Sequence, residues 1–387
     1  MKMTQVYSIL NDVTKEILGE TDIVNEDLSN VVDVGEKIFD ATSYDHYVTA
    51  LVNRIGKTIF VDRAYMGNVP SVLRDSWEFG SALMKIQAEL PDAVENKTWE
   101  LQDGQTYNQD IFYKPVVTAK FFNERVTFEL DISITYKEVM ESFNDAAQLN
   151  AFISMIFNSV EKSLTVKTEA LIMRTINYAI ASTLLDDMPT GDYTGTGVKA
   201  VNLYKLYKTA HPDTKLTVDN CLTDFDFQSF VVQTINKYRY RFTRISNLFN
   251  VDGKARFTPM ELQHLVIHAD LESSLVSTLY QNAFHNDTNR LDKYEVVPYW
   301  QGSGTDYGFG KTSKIDVKLA ATPENKTITA TGVLGVLFDH EAIMVANFER
   351  RVRTHDNGKG EFTNYFYKQD VQNLYDPAEN FVVFYVA

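Results

Sequence analysis

The strongest constraint on the fold is a long segment, residues 144–185, that contains neither proline nor glycine. Apolar residues recur along it at helical spacing, among them Leu149, Ile153, Ile156 and Val160. Because an α-helix rises about 1.5 Å per residue, the segment predicts a single helix of roughly 60 Å. Helices in compact domains average about 11 or 12 residues. The apolar stripe drifts and does not keep a heptad repeat, which disfavours the alternative of a coiled coil.

Composition limits the class of protein. With 387 residues and 44% hydrophobic content, the chain is long enough for one large globular domain or two ordinary ones. No apolar run of about 18 residues occurs and the first thirty residues are acidic and polar, so neither a membrane span nor a signal peptide is predicted. The single cysteine, Cys221, excludes an internal disulfide.

The charge and the aromatic content indicate possible partners. A formal net charge of −15 argues against a surface that binds nucleic acid throughout, because phosphate binding relies on clustered Lys and Arg. Aromatic residues make up 12% of the chain, which suits buried subunit contacts, although a Tyr-rich β core gives the same count.

The pattern of elements changes along the chain. Residues 1–44 show no strong periodic segment and are expected to form an extended arm that lies on another surface. Residues 43–60 predict a short helix leading into a strand, and residues 64–136 predict a long β excursion with one apolar face. After a Gly-rich break at 186–197 the pattern is mixed: helices are predicted at 224–238 and 271–283, and strands at 262–269, 331–339, 342–349 and 379–387.

Residues 349–369 combine three arginines with a run of Phe and Tyr around a turn that contains Asn357, Gly358 and Gly360. These turn residues tolerate the positive φ that tight turns require, so the segment predicts a β-hairpin.

Motifs for known site chemistries fail on spacing. Residues 304–312 resemble a phosphate-binding loop, but the first glycine is one residue too early. In residues 250–261, which evoke a calcium loop, Pro259 occupies the position of the last acidic ligand. His264 and His268 are four residues apart, yet the residues between them predict a strand, and a structural role is favoured over zinc. We therefore expect no catalytic site, no cofactor and no metal.

A basic group, Arg239, Arg241 and Arg244, alternates with aromatic residues. Such a pattern could stack and neutralise single-stranded nucleic acid. A solvated strand or an Arg-rich subunit contact is the favoured alternative.

The order of these parts resembles the major capsid protein of tailed bacteriophages, with its α+β Hong Kong 97-type fold. Three segments are similar to those of small short-tailed phages of Gram-positive hosts: the "YVTALVNRIG" segment at 47–56, a strand-then-helix unit at 264–275, and the closing hairpin and last strand at 345–387.

The resemblance implies a division of the chain into seven parts. These are an N-terminal arm (1–44), a short helix and strand of the peripheral domain (45–63), an extended loop with its return strand (64–136), the peripheral domain with its spine helix (137–197), an axial domain (198–346), a peripheral hairpin (347–375) and a C-terminal strand (376–387).

The resemblance also implies a function. Subunits would assemble in the bacterial cytoplasm as hexamers and pentamers of an icosahedral virion shell around double-stranded DNA, with no membrane partner and no sequence-specific DNA contact. The chain ends after its last strand without an immunoglobulin-like domain and lacks a long charged N-terminal extension, so a separate scaffolding protein and a portal are expected partners. The alternatives are a tail or portal protein, or an acidic cytoplasmic α/β enzyme.

Within this reading, Arg side chains of the hairpin would bind carboxylates of neighbouring subunits, because the planar guanidinium pairs bidentately with them. The predicted inter-subunit contact residues are Arg350, Arg351, Arg353, Lys359, Glu361, Tyr365, Trp77 and Trp99.

Overall fold

The computed structural model describes residues 3–18, 24–25, 29–41, 50–51, 70–74, 83–96, 98–107, 110–142, 146–191, 193–281, 291–298, 300, 315–318 and 327–387. Its helices are α1 (Met3–Leu18), α2 (Val31–Ala41), α3 (Tyr136–Ser142), α4 (Ala146–Asp187), α5 (Leu203–Ala210), α6 (Phe225–Phe242) and α7 (Ala269–Gln281). Its strands are β1 (Leu73–Arg74), β2 (Leu83–Ala88), β3 (Val117–Phe122), β4 (Arg125–Thr135), β5 (Ala200–Asn202), β6 (Gln263–His268), β7 (Glu295–Val297), β8 (Ile315–Lys318), β9 (Thr327–Ala330), β10 (Val333–Asp339), β11 (Ile343–Asn357), β12 (Phe362–Tyr375) and β13 (Phe381–Tyr385).

The long helix predicted from the sequence is confirmed as α4, a single helix of 42 residues. Its apolar stripe is buried, and its C-terminal half is buried on almost every side. Polar residues on this buried side, Thr168, Thr175 and Thr183, donate their hydroxyls to the carbonyl four residues earlier, at 2.8–2.9 Å. The helix can therefore pass through the core without leaving these hydroxyls unpaired.

A four-stranded sheet in the order β1-β11-β12-β4 packs against α4. The alternation predicted for residues 125–135 is confirmed in β4, where Phe128 and Ile134 are buried and their neighbours along the strand are more exposed. The predicted hairpin is confirmed as β11 and β12, which pair antiparallel from Ile343↔Tyr375 to Asn357↔Phe362. We call it the closing hairpin.

The turn of the closing hairpin differs from the prediction in one respect. The residue with positive φ is Glu361, at 50°, and neither Gly358 nor Gly360 has one. The turn is held instead by the Asn357 side chain, whose Oδ1 accepts hydrogen bonds from the backbone N–H groups of Lys359 and Gly360 at 3.2 and 3.0 Å.

A second, five-stranded sheet has the order β5-β13-β10-β6-β7. Both of its faces are buried: Val336 and Phe338 of β10 belong to the core around α4, whereas Leu337 belongs to a second core beneath α5, α6 and α7. Burial on both faces explains why these strands are continuous apolar runs in the sequence. The predicted strands and the helices at 224–238 and 271–283 are confirmed within the described residues.

The prediction for the N-terminal residues is wrong in one respect: they are not without periodic structure. α1 and α2 are helices, and α1 packs against α4 of its own chain. Ile9, Leu10 and Val13 are buried in the core around α4, and together with Val6 and Ile17 they recur at helical spacing in the sequence. The predicted helix and strand at 43–60 lie outside the described residues apart from 50–51, which are helical, as does the phosphate-loop-like segment 304–312.

Candidate assembly interface

Strands β2 and β3 pair antiparallel and form a second hairpin, which we call the extended hairpin. An ordinary sheet at the surface turns its apolar face inward, whereas this hairpin turns its polar face inward. Met84 and Ile86 of β2 and Phe121 of β3 are exposed. Lys85 and Lys120, which point to the opposite face, are half-buried. Successive side chains of a strand point to opposite faces, so the hairpin turns its polar face towards its own subunit and its apolar face outward.

The inward polar face is held by a cluster of charges that we call the ionic base. Lys85 Nζ lies 2.9 Å from Asp376 Oδ2 and 2.7 Å from Glu379 Oε1. Lys120 Nζ lies 3.0 Å from Asp376 Oδ1 and also pairs with Asp252. These pairs fix the hairpin to the segment between β12 and β13.

Further polar contacts continue the ionic base along β2. The Gln87 side chain donates to Glu379 Oε1 at 2.7 Å and accepts from Arg256. One residue beyond β2, Glu89 pairs with Lys254. The loop at 252–256 therefore lies directly beside the extended hairpin.

Burial and charge act in opposite directions on the pKa of Asp376, whose side chain has no exposed area. Burial would raise this pKa, but the hydrogen bond and charge of Lys85, the backbone N–H of Ala378 and Lys120 lower it below the ordinary 3.8. The pKa of Lys120 is raised: burial lowers it, and the hydrogen bonds to Asp252 and Asp376 outweigh that effect. Both shifts favour the charged pair at neutral pH.

Beyond the ionic base the extended hairpin continues into a segment, residues 90–116, that we call the tip. Of the 26 large hydrophobic side chains that are exposed among the described residues, 13 lie within residues 84–121. The Trp99 side chain is 98% exposed, and that of Phe112 is 84% exposed. Exposed apolar area this concentrated is uncommon on a monomeric protein and marks an interaction surface.

The closing hairpin has the ordinary arrangement and uses some of the predicted contact residues internally. Arg350 lies 3.9 Å from Glu161 of α4, and burial lowers its pKa. The Arg351 guanidinium forms a two-point contact with Asp370 inside the same hairpin. Burial would raise the Asp370 pKa, yet the hydrogen bonds from Arg351 and Thr127 lower it below 3.8.

The predicted contact residues therefore divide into three groups. The prediction is wrong for Tyr365, which is fully buried because it lies on the inner face of β12. The Arg350 side chain approaches Glu161 of its own α4 and is 21% exposed, so its contact role stays a prediction. Arg353, Lys359, Glu361 and Trp99 are exposed, and Arg351 is partly exposed, so their contact role stays a prediction. Trp77 lies outside the described residues.

The basic group at 239–244 lies at the C-terminal end of helix α6, so the interpretation as a solvated strand is wrong. Tyr238 and Phe242 are buried, and Arg239 donates to the Asp292 carbonyl at 2.8 Å. Only Tyr240 of the three aromatic residues is exposed, which leaves little surface on which bases could stack.

Two of the histidines form a direct contact. His264 Nε2 and His340 Nδ1 are 2.8 Å apart, and burial, with the charges of His340 and Arg74, lowers the His264 pKa to about 4. Among the described residues, no group of three or more His, Cys, Asp or Glu side chains is arranged to hold a metal ion. None of the helices in the described part of the chain has the length and apolarity needed to span a bilayer.

The ionic base was missed from the sequence. The alternation of Met84, Lys85, Ile86 and Gln87 was a usable signal, because it predicts a strand with one polar and one apolar face. The pattern does not say which face turns inward, and the acidic partners of Lys85 lie about 290 residues away, at separations of 291 and 294.

Comparisons with known proteins agree with this architecture. A family model described as Phi29-like phage major capsid protein matches residues 10–385. The major capsid protein of Bacillus phage B103 is 20% identical over 372 residues, covering 94% of this chain and 69% of the relative. That of Bacillus phage GA-1 is 20% identical over 375 residues, covering 94% and 66%. The chain thus spans about two thirds of the length of these relatives.

Solved structures confirm the fold class. A chain from the capsid structure of Staphylococcus phage Andhra superposes with a TM-score of 0.50 at 11% identity, covering 83% of this chain and 85% of that chain. A chain from a structure of the head fiber and inner core protein of native bacteriophage P68 gives a TM-score of 0.53 at 10% identity, with the same coverage. The predicted α+β capsid fold of Hong Kong 97 type is confirmed. The chain belongs to the family of Phi29-like phage major capsid proteins, and its place is the capsid of the virion.

Proposed function

We propose that this capsid protein self-assembles as hexamers and pentamers into an icosahedral shell around double-stranded phage DNA, and that it acts by assembly and not by catalysis. The observation that carries the proposal is the reversed extended hairpin, whose charged face is satisfied within the subunit and whose apolar face is not. Burying one large apolar side chain is worth about 1.5–3 kcal/mol. Thirteen such side chains are exposed on one hairpin, and a neighbouring surface that buries them gains this free energy.

The division of the chain into parts follows from this function as a proposal. The extended loop at 64–136 reaches a neighbouring subunit, the peripheral domain is built on α4, and the axial domain at 198–346 surrounds the centre of the capsomer. The hairpin at 347–375 meets its counterparts between capsomers through Arg353, Lys359 and Glu361. Their exposure at the hairpin turn supports that role.

A separate scaffolding protein, a portal and the packaged DNA are the proposed partners. The net charge of −15 supports an inner wall that repels DNA and binds no particular sequence. Repulsion of this kind keeps the packaged DNA mobile. A strongly basic inner surface in the assembled shell would contradict this part of the proposal.

The test is expression with and without the other head proteins of the phage, followed by sedimentation velocity and negative-stain electron microscopy. We expect rings, tubes or closed shells from the unaltered chain. A double variant, Trp99→Ser with Phe112→Ser, should give folded monomers and at least tenfold fewer particles. The matched control is Phe225→Ser, an exposed aromatic residue outside the extended hairpin. A strictly monomeric unaltered chain in both preparations would contradict the proposed function.

A further inference from the structure

An exposed basic and apolar surface on the axial domain has no role in the contacts described so far. It consists of the end of α6 and the loop that follows, and we call it the axial patch. Its exposed members are Tyr240, Arg241, Arg244, Ile245, Leu248 and Phe257.

The local backbone holds the axial patch together. Ser246 and Arg256 form an antiparallel bridge, with N–H···O distances of 2.9 and 3.0 Å in the two directions. This bridge places Ile245 close to Phe257. The buried neighbours Phe242 and Phe249 anchor the loop in the second core, beneath α5, α6 and α7, and so fix the backbone that carries the exposed apolar side chains.

The charge of the axial patch is opposite to that of the whole chain. Residues 237–248 contain four basic residues and no acidic one, in a chain of net charge −15; Lys237, Arg241 and Arg244 are exposed and Arg239 is buried. Lys254 and Arg256 of the following loop are not counted, because they pair with Glu89 and Glu379 within the subunit.

The tip of the extended hairpin has the complementary composition. Residues 90–116 contain five acidic and two basic residues, a net charge of −3, interspersed with exposed Trp, Phe and Tyr side chains. Contacts that contribute most to binding energy are enriched in Trp, Tyr and Arg. The axial patch supplies Arg and Tyr, and the tip supplies Trp, Tyr and acidic side chains. Opposite local charge also favours the correct encounter between two such surfaces.

Within one subunit the tip does not cover the axial patch. The contacts Glu89 to Lys254 and Gln87 to Arg256 fix the base of the hairpin directly beside its own axial patch. Nevertheless Trp99 and Phe112 of the tip, and Tyr240 of the patch, all remain exposed. The partner of each surface must therefore be supplied by another molecule.

We propose that the tip of the extended hairpin of one subunit binds the axial patch of the next subunit around the capsomer. Because the two surfaces differ, the contact is heterologous, and head-to-tail repetition of such a contact gives a ring when the rotation between neighbours closes, as a capsomer requires. The proposal rests on the proposed function and names the receiving surface for the hairpin. The alternative receiver is the turn of the closing hairpin, where Arg353 and Lys359 are exposed.

Disulfide trapping distinguishes the two receivers. The variant carrying Gln102→Cys in the tip and Asn247→Cys in the axial patch replaces exposed, uncharged residues, and the natural Cys221 is buried and gives little background. Particles assembled with the other head proteins are oxidised with diamide and run on a non-reducing gel. We expect a ladder of covalent oligomers that is absent from each single-cysteine variant and from dissociated subunits.

The matched comparison is Gln102→Cys with Lys359→Cys. A ladder from this pair alone, or particles that give no ladder with either pair, would overturn the inference and leave the proposed function standing. Absence of particles from the unaltered chain would instead overturn the proposed function, on which the inference depends.

A charge exchange provides a second test that does not rely on cysteine. Arg241→Glu with Arg244→Glu should lower particle yield at least tenfold. Adding Glu95→Lys and Asp103→Lys in the tip should restore the yield to within about threefold of the unaltered chain. Loss without restoration would overturn the inference.

Discussion

The extended hairpin and the closing hairpin are both antiparallel, yet they bury opposite faces. The closing hairpin turns Tyr365 and Tyr367 inward and presents charged side chains outward. The extended hairpin turns Lys85 and Lys120 inward and presents Met84 to solvent. The apolar face of the first is buried within the subunit, and that of the second is left exposed for the proposed contact with another subunit. The difference between the two hairpins lies in the face that their own subunit covers: the apolar face in the closing hairpin and the polar face in the extended hairpin.

The largest expected difference between the two hairpins is in the stability of the isolated subunit. Tyr365→Ala should lower the free energy of unfolding by about 3–5 kcal/mol, because it leaves a cavity in the core around α4. Trp99→Ala, which removes an almost fully exposed side chain, should change it by less than about 0.5 kcal/mol. Urea unfolding of both variants measures this, and equal losses would contradict the contrast.

The ionic base should account for the next largest effect. Lys85→Ala removes one of two lysines that compensate the buried Asp376, so we expect a loss of about 3 kcal/mol in unfolding free energy. Limited proteolysis should also show faster cleavage within residues 83–122. The matched control is Lys114→Ala, an exposed lysine of the tip, which should behave like the unaltered chain. Unchanged stability of Lys85→Ala would mean that the hairpin is not held by charge.

Lowering the pH should reduce the stabilisation supplied by the carboxyls of both hairpins, by different amounts. A carboxyl whose folded pKa is lowered stabilises the fold at any pH above its unfolded value, and this stabilisation is lost as the pH falls through the folded pKa. Asp376 and Asp370 both have lowered pKa values, so stability should fall as the pH drops from about 5 towards 3.

Substitution of each carboxyl separates the two contributions to the acid response. Asp376→Asn should lower stability at pH 7 and flatten the dependence on pH. Asp370→Asn should do the same to a smaller extent, because its side chain is 12% exposed and that of Asp376 is fully buried. Unfolding free energies measured across this pH range test the prediction, and a steeper dependence in either variant would contradict it.

The smallest expected effect on the isolated subunit comes from the turn of the closing hairpin. Arg353→Glu with Lys359→Glu should change the unfolding free energy by less than about 0.5 kcal/mol, because both side chains are exposed. Particle yield should nevertheless fall, since these residues are the proposed contacts between capsomers. Normal particles from this variant would contradict the proposed contact between capsomers through the closing hairpin.

Local sequence patterns predicted most of the fold. The length of α4 follows from the missing proline and glycine, and the alternation in β4 follows from the two-residue period of a strand. The family resemblance supplied the order of domains. The helices of residues 3–41 were missed although Val6, Ile9, Leu10, Val13 and Ile17 recur at helical spacing, a signal that predicts an amphipathic helix.

The site was less predictable because its determinants are distant in the sequence. Tyr365 and Trp99 are both aromatic residues near turns, and only the fold shows that one is fully buried and the other almost fully exposed. Likewise Lys85 turns inward because it pairs with Asp376, which lies 291 residues away in the sequence, and no local pattern spans that separation. Long-range pairing decides which face of a strand is turned inward.

Hydroxyl-radical footprinting of dissociated subunits and assembled particles tests the central claim, that a neighbouring subunit covers the outer face of the extended hairpin. Oxidation of Trp99, Phe112 and Tyr113 is measured by mass spectrometry, with the buried Tyr365 as the internal reference. We predict rapid oxidation in the subunit and at least fivefold protection of all three residues in the particle, with Tyr365 slow in both. Equal oxidation of the three residues in subunit and particle would show that the face stays open after assembly and would contradict the account.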